Sequence, residues 1–302
     1  MTSPPPSRAE AGRATLLIAL AACGFGAIAI LVTLAEATGA PLLTLLAGRY
    51  IIGAVVLGGL ALAGGSLILD RTTLGITAVA GLGQVAVSII SLSALKYIPA
   101  ATLAFLFYTY PAWIAIIAKF RHSEPLTPLR LTALALSLIG IFVMVGAPGT
   151  AALHPAGVAL ALTAALVYAA YVPTISVLER GRAPVAMGTY MSAGAAVILL
   201  VAGAFLGDLT LALHRTAWIA IVLLGFVSTV FAFLGFLRGL RVLGPVRTAI
   251  VSTVEPFFTA LLGAWLLQQP ITSTTLLGGA FIATAVILLQ LQPRNRLGAE
   301  PT

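Results

Sequence analysis

Read along its length, the chain alternates between long apolar runs and short segments that hold nearly all of its charge. Ten runs stand out, at residues 15–35, 41–63, 74–94, 98–119, 128–146, 156–178, 185–206, 216–237, 244–267 and 272–291. A run of about 20 apolar residues is the length that crosses the hydrocarbon core of a bilayer. Lipid offers no partner to backbone N–H and C=O groups, so each run is predicted to be a helix. The fold class that follows is an all-α integral membrane protein with ten transmembrane helices. Outside the runs lie two polar tails, residues 1–13 and 292–302. The first, opening "MTSPPPSRAEAG", is proline-rich and expected to be disordered.

Composition supports this pattern. Hydrophobic residues make up 60% of the chain and charged residues 8%, against roughly 25% charged in an ordinary soluble domain. The net charge of +8 would suggest nucleic acid as the partner of a soluble protein. Beside membrane spans, basic residues report orientation instead, so the expected partner is the lipid bilayer, with no nucleic acid. With the N-terminus in the cytoplasm, 13 of the 16 basic residues fall on the cytoplasmic side. Only Lys96 and Arg215 fall near the outer face, and Arg49 lies within span 2. Both termini are therefore expected in the cytoplasm of a cell whose inner membrane holds the chain.

The lone cysteine, Cys23, excludes an internal disulfide framework and any multi-cysteine metal site. It ends "LAAC", which has the form of a lipoprotein cleavage box. The residues that follow, "GFGAIAILV", continue the apolar run, so a cut there would destroy a span.

The chain also repeats itself. The window "GLRVLGPVRTAIVSTVEPFFTALLGAWLLQQPIT" from Gly239 aligns without a gap on "ALKYIPAATLAFLFYTYPAWIAIIAKFRHSEPLT" from Ala94. Leu95 meets Leu240, Lys96 meets Arg241, Ala104 meets Ala249, Pro111 meets Pro256, Pro125 meets Pro270 and Thr127 meets Thr272. A repeat of this length is an architectural signal, and it divides the chain into units at 14–147 and 155–291. Each unit has five spans, an odd number, so tandem copies enter the membrane in opposite senses. Charge agrees: Lys119, Arg121 and Arg130 follow span 4, whereas "LLQQPITSTT" follows span 9. Two inverted five-helix repeats are a recurring design of secondary transporters, which bind substrate near midplane where the halves meet.

These residues resemble the drug/metabolite transporter superfamily, and within it the EamA-type family. The stretches that carry the likeness are "ALKYIPAATLAF", "YTYP" and "SEPLTPLRL" in the first half. In the second they are "GLRVLGPVRTA" and "STVEPFFTALLGAWLLQQPIT". The resemblance covers residues 14 to 291. It implies ten helices in two repeats and export of amino acids and related metabolites, with cationic drugs and nucleotide sugars among the substrates of other members. One position departs from the family pattern: the acidic residue after the fourth and ninth helices is present as Glu124 but replaced by Gln269, which weakens a transport role for that loop carboxylate.

Candidate chemistry inside the membrane is sparse. Seven of the eight acidic residues fall in loops or tails, and Glu255 alone lies near the middle of a span, roughly 16 Å from the start of its run. An acid centred in a span costs about 2.5 to 3.5 kcal/mol on insertion, so Glu255 should face the interior with a partner or a wet cavity. Arg49, about 12 Å below the outer edge, lies at comparable depth. Three readings stand: the two ions pair and lock the bundle, Arg49 snorkels outward, or together they bind a zwitterion, Arg49 taking its carboxylate and Glu255 its ammonium or a coupling proton.

Polar stripes add to the candidate substrate site. Ser252, Glu255 and Thr259 share one face of span 9, and Gln84, Ser88 and Ser91 one face of span 3. Tyr168 and Tyr171 lie one turn apart on span 6, and Tyr108 and Tyr110 precede Pro111 in span 4. The set expected to line a small cavity is Arg49, Gln84, Ser88, Tyr108, Tyr110, Tyr168, Tyr171, Ser252 and Glu255. Small hydroxyls also serve as packing contacts between membrane helices. Pro111 and Pro256, at matched places, are candidate hinges for rocking one half against the other.

Other chemistries are excluded. No phosphate-binding Gly-x4-Gly-Lys-Ser/Thr loop is present. His122, His154 and His214 are scattered in predicted loops, which leaves neither a metal site nor a base for an intramembrane serine enzyme. No cofactor is implied. A secondary transporter of a small molecule, with protons as a candidate coupling ion, is the expectation. Efflux of hydrophobic organic cations, held by Glu255 and the tyrosine faces, is the alternative.

Overall fold

The computed structural model describes residues 8–120, 128–146, 153–178 and 181–290. The tails at 1–7 and 291–302 lie outside these residues, as do Arg121, His122, Glu124, Glu179 and Arg180. Much of the expected charge pattern in the loops therefore falls beyond what is described. Among the described residues the chain is all helical.

Six helices are long and apolar enough to cross a membrane, and four shorter apolar helices complete the ten spans. Spans 1 to 3 are α1 (Arg8–Glu36), α2 (Leu42–Ala63) and α3 (Arg71–Ser93), with a 3-10 turn at Ala94–Lys96. Span 4 is broken into α4 (Ala100–Phe107) and α5 (Tyr110–Phe120). Spans 5 to 7 are α6 (Pro128–Gly146), α7 (Pro155–Leu178) and α8 (Pro184–Leu206). Span 8 begins as α9 (Arg215–Gly225), passes through a π-helical segment at Phe226–Phe231 and enters α10 (Ala232–Ser252). Span 9 continues through α11 (Val254–Leu266), and α12 (Ser273–Gln290) is span 10.

Two boundaries differ from expectation. α1 starts at Arg8, so residues 8–13, expected in a disordered tail, are helical. The connection expected near 238–243 is also helical within α10. The chain nevertheless reverses there. Gly239 meets Ile18 and Ala14 of α1, and Gly24 of α1 meets Ala232, so α10 sets out toward the N-terminus of α1; by Glu255 the chain is back beside Gly26.

The helix contacts obey an exchange of halves. α2 packs on α8, α4 on α11 and α6 on α12, each pair made of matched spans. α3 packs on α8 as α2 packs on α9, and α1 packs on α11 as α7 packs on α5. Glycines allow the tightest crossing. A Cβ at Gly194 of α8 would collide with the Thr77 carbonyl oxygen, and one at Gly81 of α3 with the Gly194 backbone, the close approach that small residues give membrane helices. The halves are also joined at α4, whose first N–H, that of Ala100, donates to Gln269 Oε1 at 3.1 Å.

Candidate functional site

The two broken spans face each other across the halves. α4 stops at Phe107, Tyr108 and Thr109 form a turn, and α5 restarts at Tyr110; α10 stops at Ser252, Thr253 turns, and α11 restarts at Val254. The repeat alignment sets Tyr108 against Thr253, Tyr110 against Glu255 and Pro111 against Pro256. Both prolines lie in the first turn of the restarted helix, where a missing N–H leaves no intrahelical bond unmade. Each therefore begins a segment and does not interrupt a continuous helix.

The break carries the acid. Glu255 sits in the first turn of α11, where a carboxylate is favoured by the unpaired N–H groups of a helix start. Tyr108 Oη donates to Glu255 Oε2 at 2.8 Å and approaches the Ser252 carbonyl at 2.7 Å. Thr259 Oγ1 bonds the Gly26 carbonyl of α1 at 3.0 Å, fixing the next turn of the same face. Glu255 itself is only half-buried, whereas Ser252 Oγ is sealed and has no hydrogen-bond partner.

A run of aromatic rings leads away from the acid. Tyr108 and Tyr110 stand 5.9 Å apart, Tyr110 and Tyr168 4.9 Å edge to face, and Tyr168 and Tyr171 6.4 Å apart. Phe107 closes on Tyr168 at 5.1 Å. Tyr171 ends the run on α3, donating to the Ala80 carbonyl at 2.8 Å with its ring over Gly83.

The remaining candidates gather around a residue the sequence reading missed. Tyr50 Oη meets Ser88 Oγ at 2.7 Å and accepts from Gln84 Nε2 at 2.9 Å. The Arg49 guanidinium carbon lies 5.0 Å from the Tyr50 ring centroid, a cation–π distance. Arg49 Nε donates to Thr229 Oγ1 at 2.8 Å, and Thr229 Oγ1 in turn donates to the Leu224 carbonyl at 2.9 Å. Thr229 belongs to the π-helical segment, a feature that recurs at functional sites. A signal for it existed: Ser228 and Thr229 are adjacent polar residues in an apolar run.

Arg49 and Glu255 do not pair. Among the described residues Arg49 has only Thr229 and the Tyr50 ring as polar or ring partners, and Glu255 has Tyr108. Helix α1 explains the separation. Its Gly24 meets Val227 of the π segment and its Gly26 meets Glu255, and two residues turn about 200° around a helix. The π segment and the start of α11 thus lie on opposite sides of α1, and equal depth does not bring the two charges together.

Comparisons with known proteins agree with this architecture. Residues 12–146 and 155–291 match the EamA-like transporter family. The chain is 32% identical to "Uncharacterized inner membrane transporter YicL" of Salmonella typhimurium over 62% of this chain. It is 25% identical to "Uncharacterized transporter sll1319" of Synechocystis over 66% of this chain. The matches span 62% and 61% of the length of those relatives. A solved crystal structure, 19% identical, superposes with a TM-score of 0.66 over 92% of this chain and 96% of its own, a likeness of fold.

Proposed function

Because the chain belongs to the EamA-like transporter family, we propose that it is a secondary transporter that exports amino acids or related amine-bearing metabolites by alternating access. Both termini would lie in the cytoplasm, and a proton on Glu255 would be the coupling ion. The observation that carries the reading is the half-buried Glu255 carboxylate at the break in span 9, tied by Tyr108 to the matching break in span 4.

Its parts have distinct tasks. Glu255 would take the ammonium group of the substrate or a proton in its place. Tyr110 and Tyr168 would offer ring faces to the remainder. Gln84 and Ser88 are engaged by Tyr50, so they would reach substrate through that hydroxyl. The two breaks are where the halves would bend as access alternates. Binding of the substrate carboxylate next to Glu255 by Arg49 is set aside, because α1 separates the two residues.

Efflux of hydrophobic organic cations is a second reading, favoured by the aromatic rings around the carboxylate. The same assay tests both. In proteoliposomes, efflux of a panel of labelled amino acids, amines and lipophilic cations should reveal a substrate class, and Glu255→Gln should abolish gradient-driven efflux with membrane insertion intact. Efflux by that variant at the parental rate would overturn the assignment.

A further inference from the structure

Arg49 is a buried cation with no anion beside it among the described residues. It is 6% exposed, in the middle of α2, and its only hydrogen bond uses Nε. A guanidinium carries five N–H donors, so both terminal nitrogens lack acceptors among the described residues. Neither is sealed off as Ser252 Oγ and Ser228 Oγ are, so each keeps some accessible surface. Burial also keeps this side chain from extending its charge to the membrane surface, the usual remedy for arginine in a span.

The neighbouring free group is another donor. One turn beyond Arg49 on the same face of α2, a Cβ at Gly53 would lie 2.9 Å from Thr229 Cγ2 and 3.0 Å from Ser192 Oγ. The absence of a side chain there brings both residues close to α2. Ser192 is 4% exposed, and its hydroxyl has no partner among the described residues. Thr229 already donates to Leu224 and accepts from Arg49.

Positive charge and unused donors, with no negative charge beside them among the described residues, are the complement of an anion. We infer that Arg49 and Ser192 form a binding site for a small monovalent anion, either a free halide or a carboxylate, separate from Glu255. One negative charge balances one guanidinium; a dianion would leave excess charge in a low-dielectric interior. Neither source rests on the transport reading, because α1 keeps a substrate whose ammonium is held at Glu255 from reaching this site.

The test uses the full chain in lipid nanodiscs, followed by tryptophan fluorescence during heating. Chloride or acetate replaces gluconate, a bulky reference anion, at constant ionic strength. A saturable rise of about 2 to 4 °C in the unfolding midpoint is expected for the parent and for Glu255→Gln. Arg49→Gln should lose the rise, and Ser192→Ala should need more anion to reach it. A response to chloride alone identifies a halide site, to acetate alone a carboxylate site, and to both an unselective one. No saturable rise in the parent, or an equal rise in Arg49→Gln, overturns the inference. Should Arg49→Gln fail to fold, bromide soaked into crystals of the parent decides: anomalous signal at the guanidinium supports the site, and its absence there with no acetate response overturns it. Because Glu255→Gln is expected to lose transport and keep the anion response, failure of the transport reading is distinguishable from failure of this one.

Discussion

Tyr108 and Glu255 meet across the two halves of the protein, hydroxyl to carboxylate at 2.8 Å. A single phenol proton there faces two acceptors, since the Ser252 carbonyl lies 2.7 Å away. Removing the hydroxyl leaves the carboxylate without its protein donor. A hydrogen bond to a charged group contributes about 1.5 to 3 kcal/mol, so Tyr108→Phe should weaken substrate-driven efflux by about 10- to 100-fold while the protein still inserts. Initial-rate efflux from proteoliposomes, normalised to inserted protein, measures this; parental rates would show that the contact is idle.

Cys23 supplies a reporter for the same site. It is the only cysteine of the chain, it is partly accessible, and it precedes Gly26, which touches Glu255, by almost one helical turn. Labelling of the unmodified protein by a small methanethiosulfonate should be slowed by saturating substrate. Equal labelling rates with and without substrate would place the substrate elsewhere.

The α3–α8 crossing should tolerate no added methyl group. Gly194→Ala would drive a Cβ into the Thr77 carbonyl, and overpacking of that kind costs about 1 to 3 kcal/mol. Gly75, also on α3, has nothing within 4 Å of a built Cβ, so Gly75→Ala should be neutral or stabilising by about 0.5 to 1 kcal/mol, the helix preference for alanine. The unfolding midpoint should fall in Gly194→Ala and hold or rise in Gly75→Ala.

Asp70 gives a pH dependence with a defined sign. It caps α3, and hydrogen bonds from the Thr73 hydroxyl and the Thr73 N–H, each 2.6 Å, hold its carboxyl below the usual aspartate value. A depressed value in the folded state means that the stabilisation is complete above the unfolded-state value and is lost as pH falls through the folded one. The unfolding midpoint of the parent should therefore drop between about pH 4 and lower values, and Asp70→Ala should lack that component. Superimposable pH profiles for the two proteins would contradict the cap.

The spans and the repeat were legible because both depend on local pattern. α6, at Pro128–Gly146, has the bounds its apolar run predicts, and the proline pair marked the matched places where spans 4 and 9 restart. The meeting of Tyr108 with Glu255 was only half legible: both residues were nominated, but their contact is a property of packing. Arg49 shows the limit most clearly. Its depth could be counted from Pro41, yet depth carries no azimuth, and an intervening α1 decides which neighbours it has. The π-helical segment was hidden for a similar reason, since an extra residue in one turn leaves the apolar run unaltered.

Nearly all the extensive helix pairings join an element of the first repeat to one of the second, and this bears on biogenesis. Early spans leave the ribosome with their mates still untranslated: α2 must wait for α8, an interval on the order of ten seconds at ordinary synthesis rates. During that wait the Gly81 face of α3 and the Arg49 face of α2 are open to lipid. A nascent chain arrested after span 5 should consequently remain a client of the insertion machinery, and crosslinks to it should vanish only once spans 7 and 8 have emerged.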